Sequence, residues 1–269
     1  MKRSFWLVLA LWGFLFSGFA RAHFLVLLPE GDLVTLERKA VALEIFFTHP
    51  MEGGPAMPLE KPLEVGVFVR GKRYDLLPFL KLYRRPLYAP WREESSSQET
   101  VPAWRFTYQC KCPGDHIFYV VPKPYFEPAE GVFIQQITKV VVNAFGAETG
   151  WDARVGLPVE IVPLVRPYGL WAGNIFCGRV LKGEKPVPGA EVEVEFLNDG
   201  SVKDVSGPFV TQVIKTDSAG EFCYAIPWAG WWGFAVLTEG DPVRKGGKEY
   251  PLELDAVLWL RAYPKPVGK

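Results

Sequence analysis

Apolar residues along this chain fall in short runs with a period near two, and no stretch keeps the three-four spacing of a capped helix for more than two turns. Runs at 41–48, 63–70, 103–109, 117–121, 133–145 and 158–164 are rich in Val, Ile, Phe and Tyr. Each is bounded by Gly, Pro or charged clusters, which predicts strands. Further strands are predicted at 173–181, 210–215, 221–226, 232–237 and 252–262. The clearest alternation is at 191–196, where Val192, Val194 and Phe196 share one face and Glu191, Glu193 and Glu195 the other. That pattern describes a half-buried strand of an antiparallel sheet. The segment 74–83 has room for one short helical turn, and the Ser-rich, polar 92–100 reads as an exposed loop.

The texture changes near Arg166-Pro-Tyr-Gly-Leu-Trp171. Beyond it, Gly183-Glu-Lys-Pro-Val-Pro-Gly-Ala-Glu-Val192 and Thr216-Asp-Ser-Ala-Gly-Glu-Phe222 resemble the repeated text of prealbumin-like, or carboxypeptidase regulatory-like, sandwiches. The expected fold is therefore all-β with two β-sandwich domains, 23–165 and 166–269, the second prealbumin-like. Such modules are mostly structural and say little about activity.

The first 22 residues read as a secretory signal peptide. Lys2 and Arg3 form a positive start, an apolar run follows from Phe5 to Phe16, and Ala20-Arg21-Ala22 fits the small-x-small cleavage rule. Cleavage after Ala22 exports the chain to the periplasm and makes His23 residue one. The chain holds 30 basic and 30 acidic residues. The leader takes three of the basic ones and no acidic one, so the exported form carries a small negative charge. That argues against a nucleic-acid partner and a polybasic membrane anchor. No apolar run after the leader is long enough to span a bilayer. Ten Trp and nineteen Phe supply an ample core.

Export permits disulfides. Cys177 and Cys223 lie in separate strand-like runs, and a bridge between them follows if those strands are neighbours. Cys110-Lys-Cys112 reads either as a soft-metal or redox pair or, with more weight, as a turn disulfide or two free thiols.

The chain has three histidines. An N-terminal His23 chelates a metal through its α-amine and its ring together, or else is a solvated terminus. His49 ends the run Leu43-Glu-Ile-Phe-Phe-Thr-His49 before Pro50, which places it at a sheet rim as a ligand or as a cap on the loop backbone. His116 leaves a turn after Asp115, a position more typical of a solvated residue. Glu127 and Glu130 in Tyr125-Phe-Glu-Pro-Ala-Glu130 complete a coordination sphere or form an acidic turn. Amine, imidazole and carboxylate donors suit Ni(II), Co(II), Cu(II) or Zn(II) and not Mg(II) or Ca(II). The Trp228-Ala-Gly-Trp-Trp-Gly-Phe234 run reads as core more than as a sugar platform. Serine-hydrolase elbow, His-Glu-x-x-His and phosphate-loop motifs are absent, which argues against an enzyme.

Several stretches then resemble one bacterial exported family, the NikM-like or CbiK-like periplasmic components of nickel or cobalt uptake systems, otherwise a domain of unknown function. They are Ala22-His-Phe24, Phe47-Thr-His-Pro50, Lys123-Pro-Tyr-Phe-Glu-Pro-Ala-Glu130, Thr138-Lys-Val-Val-Val-Asn-Ala-Phe-Gly146, Gly150-Trp151, Glu160-Ile-Val-Pro-Leu164 and Gly230-Trp-Trp-Gly-Phe234. The resemblance implies capture of Ni(II) or Co(II) outside the inner membrane beside a membrane transporter component, with His23 and His49 as natural ligands and His116 outside the motifs. The expected site is His23, His49, His116 and Glu127. The competing expectations are a copper histidine-brace oxidoreductase and a structural or carbohydrate-binding sandwich without metal.

Overall fold

The structure, a computed structural model, describes residues 23–266; the expected leader, and with it the expected cleavage after Ala22, falls outside them. The described chain is almost entirely β, and its strands form three sheets. The largest has twelve strands, and its main path runs Gln212–Lys215, Glu191–Phe196, Gly230–Val236, Lys248–Tyr263, Val132–Ala144, Gly114–Val121, Glu64–Val69 and Lys72–Asp75. A four-stranded sheet of Phe24–Pro29, Ala40–Thr48, Thr100–Gln109 and Lys81–Pro86 packs on one face. A second, of Val159–Pro163, Ile175–Lys182, Lys185–Pro186 and Glu221–Ala225, packs on the other. The result is two sandwiches back to back that share their middle layer.

Alternation along the central strands feeds both cores. Val140, Val142 and Ala144 enter the first core, while Ile137 and Val141 enter the second. On the long strand Lys248–Tyr263, Val257 and Trp259 face one way and Ala256, Leu258 and Leu260 the other. Strands covered on both faces read as near-continuous apolar runs, as 133–145 and 252–262 do. Val132–Ala144 pairs in parallel with Lys248–Tyr263, so the central sheet runs through both halves of the chain.

Most predicted strands form within two or three residues of their expected ends. The turn expected at 74–83 is a 3-10 turn at Leu77–Phe79 between the strands Lys72–Asp75 and Lys81–Pro86. The 92–100 loop holds a short 3-10 turn at Glu93–Ser96. Among the described residues no helix is long and apolar enough to cross a membrane.

Candidate functional site

Register places His23 beside His49. Phe24–Pro29 pairs antiparallel with Ala40–Thr48, and Phe24 stands opposite Thr48. One further step brings residue 23 opposite residue 49, and the two imidazole centroids lie 4.4 Å apart. The free edge of Phe24–Pro29 meets side chains instead of a strand. Gln136 accepts from the Leu25 amide through Oε1 and donates through Nε2 to the His23 carbonyl, both at 2.6 Å. The Thr138 hydroxyl and the Trp259 indole both donate to the Leu25 carbonyl. Three side chains from the central sheet thus fix where His23 sits.

Glu127 approaches from the strand Tyr125–Glu127, which folds back on Val132–Ala144 through the turn at 128–131. Its Oε1 accepts from the Ala129 amide at 3.0 Å, and its Oε2 stands 4.0 Å from His23 Nε2. The Phe47 ring packs against His23 and Tyr125, each at 5.7 Å between centroids. Burial pushes the His23 pKa down to about 4; the nearby His49 adds to that and Glu127 opposes it. The ring is therefore neutral at pH 7, with a lone pair free to bind a cation.

His49 is 6% exposed, and its turn is anchored on the second half of the chain. The Met51 amide donates to Glu195 at 3.1 Å, the Asn198 amide to the Pro50 carbonyl at 3.2 Å, and the Asn198 side chain to the Met51 carbonyl at 3.0 Å. Glu195 lies on the face read from sequence as the polar one, yet it is 1% exposed because the His49 turn covers it. Burial raises its pKa to about 8 against the opposing hydrogen bonds of Thr211 and Met51. Gln136, Trp259, Glu195 and Asn198 were not legible as site-building residues: Gln136 is one of several polar positions in Val132–Ala144, Glu195 reads as part of a solvent face with Glu191 and Glu193, and no motif marks either.

His116 is not brought to this site. It is fully buried opposite Val142, with Nδ1 3.1 Å from the Gly114 carbonyl and its ring against Tyr108. Gln136, which holds His23, is six positions earlier than Val142 on the same strand, about 20 Å away at the usual strand rise. His116 is thus neither solvated nor beside the other histidines. Glu130 is exposed. Cys177 and Cys223 are direct partners across paired strands and are joined in a disulfide. Cys110 and Cys112 are free thiols, and burial pushes the Cys110 thiol up to about 11. Trp232 is core, with Trp228 and Trp231 half-buried.

Among the described residues, no three His, Cys, Asp or Glu side chains are close enough together to hold a metal ion. The side chains of His23, His49 and Glu127 meet in pairs.

The model of one protein family, described as a domain of unknown function (DUF4198), matches residues 20–240, from just before His23 to beyond the Gly230–Val236 strand. The chain belongs to this family. No curated protein matches this DUF4198 chain. Among solved structures it is similar to the D0-D1 domain of Intimin, at 11% identity and a TM-score of 0.22, over 89% of this chain and 99% of that one. Trypsin-activated alpha-2-macroglobulin from Escherichia coli is 10% identical with a TM-score of 0.26, and the match spans 89% of the DUF4198 chain but only 16% of the macroglobulin. BcpA, the major pilin subunit of Bacillus cereus, is 11% identical with a TM-score of 0.20, over 90% and 67% of the two chains. At these scores the likenesses carry no argument about function.

Proposed function

We propose that this DUF4198 protein is exported to the periplasm and captures a transition-metal ion, Ni(II) or Co(II), as an accessory of metal uptake without catalysing a reaction. The observation that carries the reading is the juxtaposition of His23 and His49, centroids 4.4 Å apart, with the Glu127 carboxylate 4.0 Å from His23. Cleavage after Ala22 adds an amine to this pair of imidazoles. Amine and ring of one residue then chelate together, His49 supplies a second ring, and Glu127 supplies charge. Mixed nitrogen and oxygen donors favour borderline metals. The metal is cargo, received at an edge strand and passed to a membrane transporter component.

The test compares the chain beginning at His23 with one carrying a single extra glycine before it, by calorimetry with Ni(II), Co(II) and Cu(II) and by native mass spectrometry. The expected result is one metal per chain, at least ten-fold weaker in the extended form because the amine has become an amide. Equal affinity of the two forms sinks the chelate. Copper reduction with peroxide-dependent turnover would instead make the protein a histidine-brace oxidoreductase. Absence of any metal binding would leave a structural or carbohydrate-binding sandwich.

A further inference from the structure

Where the loops of the two halves meet, beside Thr48 and Pro50, lies a cleft of about 550 Å³. Its size is in the range of small-molecule sites. Tyr88, Trp91 and Trp231 form half-buried walls over a floor that includes Phe46 and Phe196.

The walls are built, not incidental. Trp91 comes from the first half, and its indole donates to the Asn198 carbonyl of the second at 3.1 Å. Its ring is admitted only because residues 53 and 200 are glycines: a Cβ on Gly53 would stand 2.4 Å from the indole, and one on Gly200 2.9 Å. Gly230 makes the same allowance for Phe196, again at 2.4 Å.

The polar groups of the lining are mostly spent. Asn198 donates to the Met51 and Val202 carbonyls and accepts from the Gly200 and Val202 amides. Arg85 pairs with Glu44 at 3.1 Å, and its guanidinium carbon stands 3.5 Å from the Phe46 ring centroid. Asp199 accepts from the Ser201 amide. Arg261 is different. It lies over the Trp231 and Tyr263 rings, 6.0 and 4.9 Å from their centroids, and bonds the Tyr263 phenol; among the described residues no carboxylate forms an ion pair with it. Asp32, which takes the Tyr263 hydroxyl, attracts Arg261 from beyond ion-pair distance, and burial raises its carboxyl above the usual range. A guanidinium has five N–H donors in a planar fork suited to a carboxylate.

We infer that this cleft binds a small organic acid whose carboxylate is carried on a flat ring, the ring lying against Trp91, Trp231 and Tyr88 and the carboxylate on Arg261. A neutral sugar fits less well. Sugar sites read hydroxyls with planar polar side chains that have free valence, and Asn198 and Arg85 have little left.

The probe is 2-naphthoate, with 2-naphthamide and maltotriose as comparators, titrated against the full exported chain by tryptophan fluorescence and calorimetry. Naphthoate should bind one-to-one and quench the indoles, and naphthamide should bind at least ten-fold more weakly. Arg261→Met should weaken naphthoate ten-fold or more and leave naphthamide unchanged, with Arg261→Lys in between. Equal binding of acid and amide by the native chain, maltotriose binding in place of both, or no saturable binding of naphthoate would each overturn the inference, whatever the variants do.

Discussion

His23 and Glu195 are two titratable residues whose neutral forms burial favours. A solvated imidazole competes with metal near pH 6.5. His23 is pushed down to about 4, so proton competition at that residue falls on its α-amine, whose ordinary value is about 7.7–8.0. Affinity for Ni(II) should therefore fall by about ten-fold per pH unit below that value, with proton release on binding near neutrality. Affinity that is flat from pH 8 to pH 6 by calorimetry would remove the amine from the ligand set. Glu195 moves the other way. Its pKa rises to about 8 in the fold from an ordinary 4.5, so between those values the folded state holds a proton that the unfolded chain has released. Stability falls as pH rises through that window. Glu195→Gln keeps the shape and an acceptor for the Met51 amide without a charge. It should match the native protein in urea titrations at about pH 5 and exceed it at about pH 8 by on the order of 2–3 kcal/mol. Equal stability at both values would show that the carboxyl is not kept neutral.

The strand Phe24–Pro29 is the element on which the site depends, and it was not among the strands read from sequence. It is buried on both sides, so it has no alternation to mark it. Lys81–Pro86 escaped for the opposite reason: as an exposed edge carrying Lys81, Arg84 and Arg85, it has no apolar face. By contrast, Glu191–Phe196 and Glu221–Ala225 were legible because period-two alternation and turn residues bound them. His49 was legible as a rim residue because Pro50 must end its strand. The registry that sets His23 opposite it was not, since pairing partners are not written locally. Gln136 converts that registry into a fixed position. Gln136→Leu leaves the Leu25 amide and the His23 carbonyl without their partner, at about 1–3 kcal/mol for each buried group left unpaired. The expected result is a loss of about 2–4 kcal/mol in urea titrations together with weaker Ni(II) binding. Metal affinity unchanged in a variant so destabilised would show that the strand edge does not position the site.

At the scale of the whole molecule, the shared central sheet decides how the protein unfolds. Its two cores lie on opposite faces of the same strands, so neither sandwich can open without exposing the middle layer of the other. Lys139 projects from that layer into the second core, 1% exposed, and its ammonium donates to Glu160 of Val159–Pro163 at 2.7 Å. Glu160 also accepts from the Val155 and Gly156 amides, and Lys139 with those bonds holds its carboxyl below the usual range despite burial. The pair pins a covering sheet to the shared layer from within the apolar interior. Removing one member strands the other charge, which costs about 3–5 kcal/mol for pairs of this kind. Lys139→Met should therefore lower the melting temperature by roughly 6–20 °C for a chain of this length. If the sheet couples the two sandwiches, calorimetry of both proteins will show one transition with equal calorimetric and van't Hoff enthalpies, displaced as a unit in the variant. Were Lys139→Met instead to split the trace, with one transition moved and one unmoved, the sandwiches would be independent folding units. The His49 turn, which rests on Glu195 and Asn198 across the halves, would then loosen while the rest of the first sandwich stayed folded.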